Sequence, residues 1–122
     1  MLCLDAEVRK ALISDGMVKN MLGGERVYQP NQPGNIHNQF PAIVFEELSN
    51  VPDFSTEDAE YASRITYRFL LYVKDGSLVP LITAVEKVLT GIGFVRHSVR
   101  NLYHLPPEVR GKELLFITTR EW

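Results

Sequence analysis

The chain has 122 residues, of which 45% are hydrophobic and 23% are charged. This is the usual size of one domain, and it is enough to build a hydrophobic core without disulfides or a structural metal. The net charge of −2 argues against a partner such as nucleic acid that is bound through counterion release. The single cysteine, Cys3, excludes an internal disulfide and a cysteine-based zinc cluster. No apolar run is long enough for a transmembrane helix, so we expect no membrane partner.

Helical periodicity characterises the start of the chain. Apolar residues recur three and four positions apart in residues 4–14, which predicts an amphipathic helix. The Asp-Gly pair at 15–16 interrupts the pattern, and residues 17–22 then add one or two further helical turns. The glycine pair at 23–24 stands where a C-terminal cap is needed, so we expect the helical unit to end there.

Two strands and a long loop are predicted next. The ERVYQ segment at 25–29 predicts a short strand, and three prolines mark residues 30–41 as a loop without regular structure. Residues 42–49, AIVFEELS, predict a strand whose start is apolar on both faces, as in the interior of a sheet. Residues 50–60 are too polar for a core, so we expect a projecting hairpin connection or flexible loop.

Residues 61–73, YASRITYRFLLYV, form the clearest predicted strand. Aromatic and aliphatic residues alternate along it, and Arg64, Thr66 and Arg68 face the other way. An Asp-Gly turn then leads to a helix at about 77–90, which carries an apolar stripe at helical spacing. Its predicted N-cap is the serine at its first position.

Two more strands are predicted after this helix, at 94–101 and 112–122. In the first of them His97 alternates with Val95 and Val99, so we expect it to be a half-buried strand residue.

The order of these elements predicts a single α+β domain over residues 1–122. We expect a mainly antiparallel or mixed sheet, packed against the N-terminal helix and the central helix at about 77–90.

The titratable residues form no catalytic or metal-binding pattern. His37, His97 and His104 lack the i, i+4 spacing of a helical zinc pair. Glu46 and Glu47 are neighbours on a strand, so their carboxylates face opposite ways and cannot form a close pair. We therefore expect no enzyme activity, no catalytic residue, no metal and no cofactor.

The two halves of the chain carry opposite charge. Residues 1–60 contain four Lys/Arg and ten Asp/Glu (−6), whereas residues 61–122 contain nine and five (+4). Either the halves pair within one fold, or the acidic surface of one subunit meets the basic surface of the next. In the second case we expect the arginines to share one strand face and the acids around a phenylalanine to be their partner. These candidate interface residues are Asp53, Phe54, Glu57, Asp58, Glu60, Arg64, Arg68, Arg96 and Arg100.

Several segments together suggest a family. A short N-terminal helix ends in GGERVYQ, and a proline-rich loop leads to FPAIVFEEL. The long strand RITYRFLLYVKD then runs into the helix SLVPLITAVEKVL. From about residue 4 to residue 122, this arrangement resembles the small tail-completion and tail-terminator proteins of long-tailed bacteriophages and related prophages. The glycine pair, Tyr28 and Pro41 are typical residues of that pattern.

The resemblance implies a structural protein of a virion. It implies a ring, commonly a hexamer, at the head-proximal end of the tail, which ends growth of the tail tube or joins the tail to the head. The implied partners are further copies of the chain, the tail-tube protein and the head-completion or connector protein. The implied location is the tail or neck of the virion, with assembly in the cytoplasm of the host bacterium. No catalytic residue is implied.

Two other functions stay open on sequence grounds. One is a small-molecule-binding regulatory α+β domain of a bacterial protein, with its pocket between sheet and helices. The other is a metabolic enzyme whose motifs have diverged. The acidic 50–60 segment likewise has two interpretations, a solvated loop or a contact with a subunit or tail tube that Phe54 anchors.

Overall fold

The fold comes from a computed structural model, which describes residues 3–30, 40–52 and 62–121. These residues form three helices and five strands in a single α+β domain, which confirms the predicted fold class. The strand order is β1-β2-β3-β5-β4, with β1 parallel to β2 and the other neighbours antiparallel. The elements in chain order are α1 (Asp5–Ser14), α2 (Gly16–Leu22), β1 (Val27–Tyr28), β2 (Ala42–Pro52), β3 (Ala62–Lys74), α3 (Val79–Gly91), β4 (Val95–Asn101) and β5 (Val109–Glu121).

The N-terminal helical unit follows the prediction closely. Asp15 separates α1 from α2, and its carboxylate accepts a hydrogen bond of 3.1 Å from the N–H of Val18. This bond satisfies one of the free donors at the start of α2. Gly23 ends α2 in the left-handed region at φ 71°, and its N–H donates to the carbonyl of Lys19. A side chain at that φ would be strained, which explains the glycine.

The long hairpin of β2 and β3 extends further than predicted. β2 continues to Pro52, three residues beyond the expected end, because residues 50–52 pair with residues 63–65 of β3. The predicted 50–60 connection was therefore wrong in its first three residues, which belong to the sheet. Residues 53–60 of that connection lie outside the described residues.

The starts of α3 and β5 differ slightly from the predicted positions. The helix begins at Val79 and its N-cap is Leu78, so the predicted start at Ser77 was early. Ser77 still contributes, because its hydroxyl accepts a hydrogen bond of 3.2 Å from the N–H of Val79. Pro80 lies in the first turn, where it removes no intrahelical hydrogen bond. β5 begins at Val109, three residues before the predicted strand.

All three helices cover one face of the sheet, which we call the helix-covered face. On β3 this face carries Ile65, Tyr67, Phe69 and Leu71, all at 0% exposure, and it belongs to the same core cluster as the buried residues of the helices. The ring of Phe69 lies 5.7 Å from that of Phe116 on β5, centroid to centroid, in an edge-to-face arrangement. The opposite face, which carries the even-numbered residues of β3, is called the helix-free face below.

A β-bulge in β4 corrects the prediction for His97. Arg96 pairs with Phe116 of β5 and Ser98 pairs with Leu115, so His97 is the extra residue between them. The bulge changes the alternation of the strand, and His97 is exposed rather than half-buried. Val95 is 70% exposed for the same reason, since only Val99 reaches the core cluster.

Candidate interaction surfaces

The structure brings three of the four predicted arginines to one face. Arg64 and Arg68 lie on the helix-free face of β3, and Arg100 reaches the same face from β4, where it pairs with Glu113. Arg96 was wrongly placed with them. The bulge turns Arg96 toward α3, where its guanidinium lies 3.2 Å from the carboxylate of Glu86.

An ion-pair chain crosses the helix-free face through four strands. Glu46 on β2 pairs with Arg68, whose other nitrogen lies 3.6 Å from Glu113 on β5. Glu113 also accepts hydrogen bonds of 2.7 and 3.0 Å from Arg100. The Glu113 side chain is only 8% exposed, and the two guanidinium groups offset the cost of burying it. Arg68 and Arg100 are thus already neutralised within the chain.

Glu113 was not among the predicted site residues. It stands in an alternating strand, where a single acid indicates only a position that faces away from the core. Its role depends on the register of β5 against β3 and β4, which sets Glu113 opposite Leu70 and Arg100. That pairing joins residues far apart in the chain, and no local pattern encodes it.

A part-buried hydrogen-bond group fixes α1 to the sheet. The hydroxyl of Tyr67, in the core of β3, donates to the carboxylate of Asp5 over 2.5 Å. The second carboxylate oxygen accepts a hydrogen bond of 2.8 Å from the amide of Gln29. Burial, and then the hydrogen bond to Asp5, raises the pKa of Tyr67 far above its usual range. The neutral phenol is therefore a structural donor at the first turn of α1.

One end of the helix-free face is open to solvent. Val51 of β2 and Val95 of β4 are 48% and 70% exposed there. Arg64 is also exposed, on β3, which lies between β2 and β4 in the strand order. A shallow cleft of about 610 Å³ is lined by Arg64, Val95, His97 and Ile117, among others. This end adjoins the β2–β3 connection.

The β4–β5 connection closes the other end of the helix-free face. Gly111 is buried there, and a Cβ on it would lie 3.0 Å from side-chain atoms of both Leu102 and Leu105. The connection can pack this closely because residue 111 has no side chain. Tyr72, on the neighbouring strand, would lie 3.1 Å from the same Cβ.

A groove runs between the start of α3 and this connection. Its volume is about 380 Å³, and its lining includes Val79 and Tyr103, which are 65% and 75% exposed. Arg110 and Lys112 of β5 line the same groove and are its charged residues within the part of the chain that the structure describes. Neither makes an ion pair with a described residue.

The histidines and glutamates are not assembled into a catalytic arrangement in the described ranges. His97 and His104 are both exposed, on β4 and in the β4–β5 connection, and His37 lies outside the described residues. The register confirms that Glu46 and Glu47 face apart, because they pair with Arg68 and Tyr67 on opposite faces.

The described residues contain neither a metal-binding cluster nor a membrane-spanning helix. Across residues 3–30, 40–52 and 62–121, no three His, Cys, Asp or Glu side chains converge into a group able to hold a metal ion. None of the helices in these ranges is both long and apolar enough to cross a membrane. Cys3 is a free, exposed thiol that precedes α1.

The five acidic-segment residues proposed for the interface, from Asp53 to Glu60, lie outside the described residues. The structure therefore places Arg64, Arg68 and Arg100 on one face, Arg96 on the other, and leaves the acidic partner of this surface as a prediction.

Comparison with known proteins finds similarity at the level of fold. No protein-family model matches the sequence, and no curated protein matches it. In contrast, 25 chains of solved structures match. One is a chain from a structure described as "Virion of native gene transfer agent (GTA) particle", with a TM-score of 0.61 and 16% identity. The match covers 94% of this chain and 92% of that one. The chain thus shares its fold with a chain of that gene transfer agent virion.

Proposed function

We propose that the protein is a structural component of a phage-like virion, and that it forms a ring at the head-proximal end of the tail. In this position it would end growth of the tail tube, join the tail to the head, or do both. The fold shared with a chain of the gene transfer agent virion is the observation that carries the proposal, because it extends over nearly the full length of both chains. The sequence resemblance to tail-completion and tail-terminator proteins supports the same role.

The distribution of buried and exposed residues favours a protein that works through its surfaces. A regulatory ligand-binding domain was expected to hold a pocket between sheet and helices. In the described part of the chain that interface is packed with side chains at 0–1% exposure, such as Val85, Leu89, Phe94 and Phe116. The clefts lie at the ends of the sheet, and exposed apolar side chains such as Val95 and Tyr103 line them. Solvent-exposed apolar residues of this kind supply binding energy when a partner covers them.

The ring model requires two different patches on each subunit, one for each neighbour. Of the predicted arginines, Arg64 is the best suited to a partner, because Arg68 and Arg100 already pair with Glu46 and Glu113. Peripheral ion pairs contribute only about 0–1 kcal/mol each, so apolar contacts must supply most of the affinity. We therefore expect assembly to weaken in high salt without being abolished.

A measurement of mass in solution tests the oligomer. We expect native mass spectrometry or sedimentation to find a ring, with a hexamer as the first expectation, either alone or after the tail-tube protein is added. A protein that stays monomeric under both conditions, and that a small-molecule library stabilises, would favour the regulatory domain instead.

Complementation tests the role directly. A phage or prophage that lacks this gene should make tails of uncontrolled length, or tails that never join heads, and the intact gene supplied in trans should restore normal particles. Electron microscopy distinguishes the two phenotypes. Infectious particles of normal appearance from the deletion strain would refute the proposed role.

A further inference from the structure

The groove between α3 and the β4–β5 connection has the composition of a binding site for an acidic segment. Val79 and Tyr103 provide exposed apolar surface, and Arg110 and Lys112 provide positive charge. Tyrosine and arginine are the residue types that most often dominate the energetics of protein interfaces. No described residue neutralises Arg110 or Lys112, in contrast to the paired arginines of the helix-free face.

The chain itself contains a segment of complementary charge. The residues between β2 and β3 include four acids around one phenylalanine and no lysine or arginine. An aromatic anchor beside several carboxylates matches a groove that combines an exposed tyrosine with two cations. The residues of this acidic segment that provide the match are Asp53, Phe54, Glu57, Asp58 and Glu60.

The geometry of the hairpin prevents the segment from reaching the groove of its own chain. The segment connects Pro52 to Ala62, whereas Lys112 and Arg110 pair with Leu71 and Val73. Nine to eleven residues of extended strand separate Ala62 from these positions, which is roughly 30–36 Å. Nine residues tethered at both ends can extend only about 15 Å outward and back. A contact between segment and groove must therefore join two molecules.

We propose that this groove binds the acidic segment, residues 53–60, of a second copy of the chain. The inference rests on the proposed function in one respect, namely that a ring needs two unlike patches. Segment and groove lie at opposite ends of β3, so each copy would offer its segment to one neighbour and its groove to the other. Such a contact is heterologous, and repetition of it generates a ring when the rotation closes.

Peptide binding tests the contact without requiring a ring. A fluorescein-labelled peptide of residues 50–62 is titrated with the full-length protein, and binding is followed by anisotropy. We expect saturable binding that weakens with salt. Arg110→Glu and Tyr103→Ala should each raise the Kd about tenfold or more. The matched control is Lys10→Glu, which reverses an exposed lysine of α1 that lines neither the groove nor the cleft at the other end of the sheet, and it should leave the Kd unchanged. A peptide with Phe54→Ala should also bind about tenfold more weakly.

A charge exchange between full-length chains tests the same contact in the assembly. Arg110→Glu on one chain and Glu57→Lys with Asp58→Lys on another should each abolish self-association. A mixture of the two should restore it, because each altered surface then finds a complementary one. Circular dichroism checks that each variant keeps the parent's helix content.

The outcomes separate this inference from the proposed function. If the peptide does not bind, or if Lys10→Glu weakens its binding as much as Arg110→Glu does, the groove is not the site. Rings and infectious particles formed by the Arg110→Glu variant would overturn the inference and leave the virion role intact. Peptide binding with the expected pattern, combined with normal particles from a gene deletion, would support the groove and refute the virion role.

Discussion

The two faces of the sheet differ in what they bury and in what they leave available. On the helix-covered face, β3 places Ile65, Tyr67, Phe69 and Leu71 at 0% exposure beneath three helices. On the helix-free face, the residues between them are partly exposed and include Arg68, which belongs to an ion-pair chain. The first face holds the domain together through apolar burial, whereas the second carries polar contacts and is open to solvent at one end. One strand thus presents an apolar core face and a polar face.

Truncation of the central aromatic should give the largest effect. Phe69→Ala removes a side chain that contacts the rings of Phe45, Tyr67, Phe94 and Phe116, so we expect a loss of about 3–5 kcal/mol in the free energy of unfolding. Urea denaturation measures it.

The control for this variant is Leu70→Ala on the adjacent, half-buried position of the helix-free face. It should cost only about 1–2 kcal/mol, because less apolar surface returns to water. Equal losses for the two variants would contradict the assignment of the faces.

Charge reversal distinguishes two arginines on the same face. Arg68→Glu sets a third carboxylate beside Glu46 and the nearly buried Glu113, and we expect a loss of about 2–3 kcal/mol, since Arg68 itself is partly exposed. Arg64→Glu, four residues away and exposed, should change stability by less than about 0.5 kcal/mol. Thermal denaturation of both variants measures the difference in stability. If Arg68→Glu left the stability unchanged, the ion-pair chain would contribute nothing to it.

Removal of one hydroxyl tests the attachment of α1 to the helix-covered face. Tyr67→Phe leaves Asp5 with fewer donors in a part-buried site, so we expect a loss of about 1–2 kcal/mol at neutral pH. Tyr103→Phe, at an exposed tyrosine, is the control and should have no effect.

Comparison of the Tyr67→Phe variant with the parent protein should also reveal a pH dependence of the free energy of unfolding, and its sign follows from the raised pKa of Tyr67. Because burial raises the pKa of Tyr67, the folded protein keeps the proton that the unfolded chain releases above pH of about 10. The contribution of Tyr67 is therefore constant below that pH and decreases as the pH rises through it. Urea denaturation between pH 8 and 11 should find that Tyr67→Phe loses less stability than the parent. Parallel curves would contradict the raised pKa.

Deletion of residues 53–59 should have only a small effect on stability. It leaves Glu60 and Tyr61 between Pro52 and Ala62, which is enough chain to close a hairpin of this register. We expect a change below about 1 kcal/mol, because the cost of loop closure depends only weakly on length. Self-association should nevertheless be lost if the groove binds this segment. An unfolded deletion variant would contradict both interpretations of the segment.

Alternation and helical spacing were sufficient to predict most of the fold. The face pattern of β3, the helical stripe of α3 and the glycine cap after α2 are local, since each depends on residues within a few positions of one another. The element order and the α+β class followed from them. The ends of the elements were harder to predict from the sequence. β2, for example, continues to Pro52 because β3 is available to pair with it.

The interaction surfaces depended on contacts that no local pattern contains. The sequence by itself determined that the two halves of the chain carry opposite net charge and that the chain contains no catalytic motif. It also placed four acids in one connection. Tertiary structure decided which arginines are free, because the register of β5 pairs Arg68 and Arg100 with Glu113, and the bulge at His97 turns Arg96 to the helices. It likewise gathered Val79, Tyr103 and Arg110 into one groove. These segments are distant in the sequence, and they meet in the groove because the fold brings the start of α3, the β4–β5 connection and the start of β5 to the same end of the sheet.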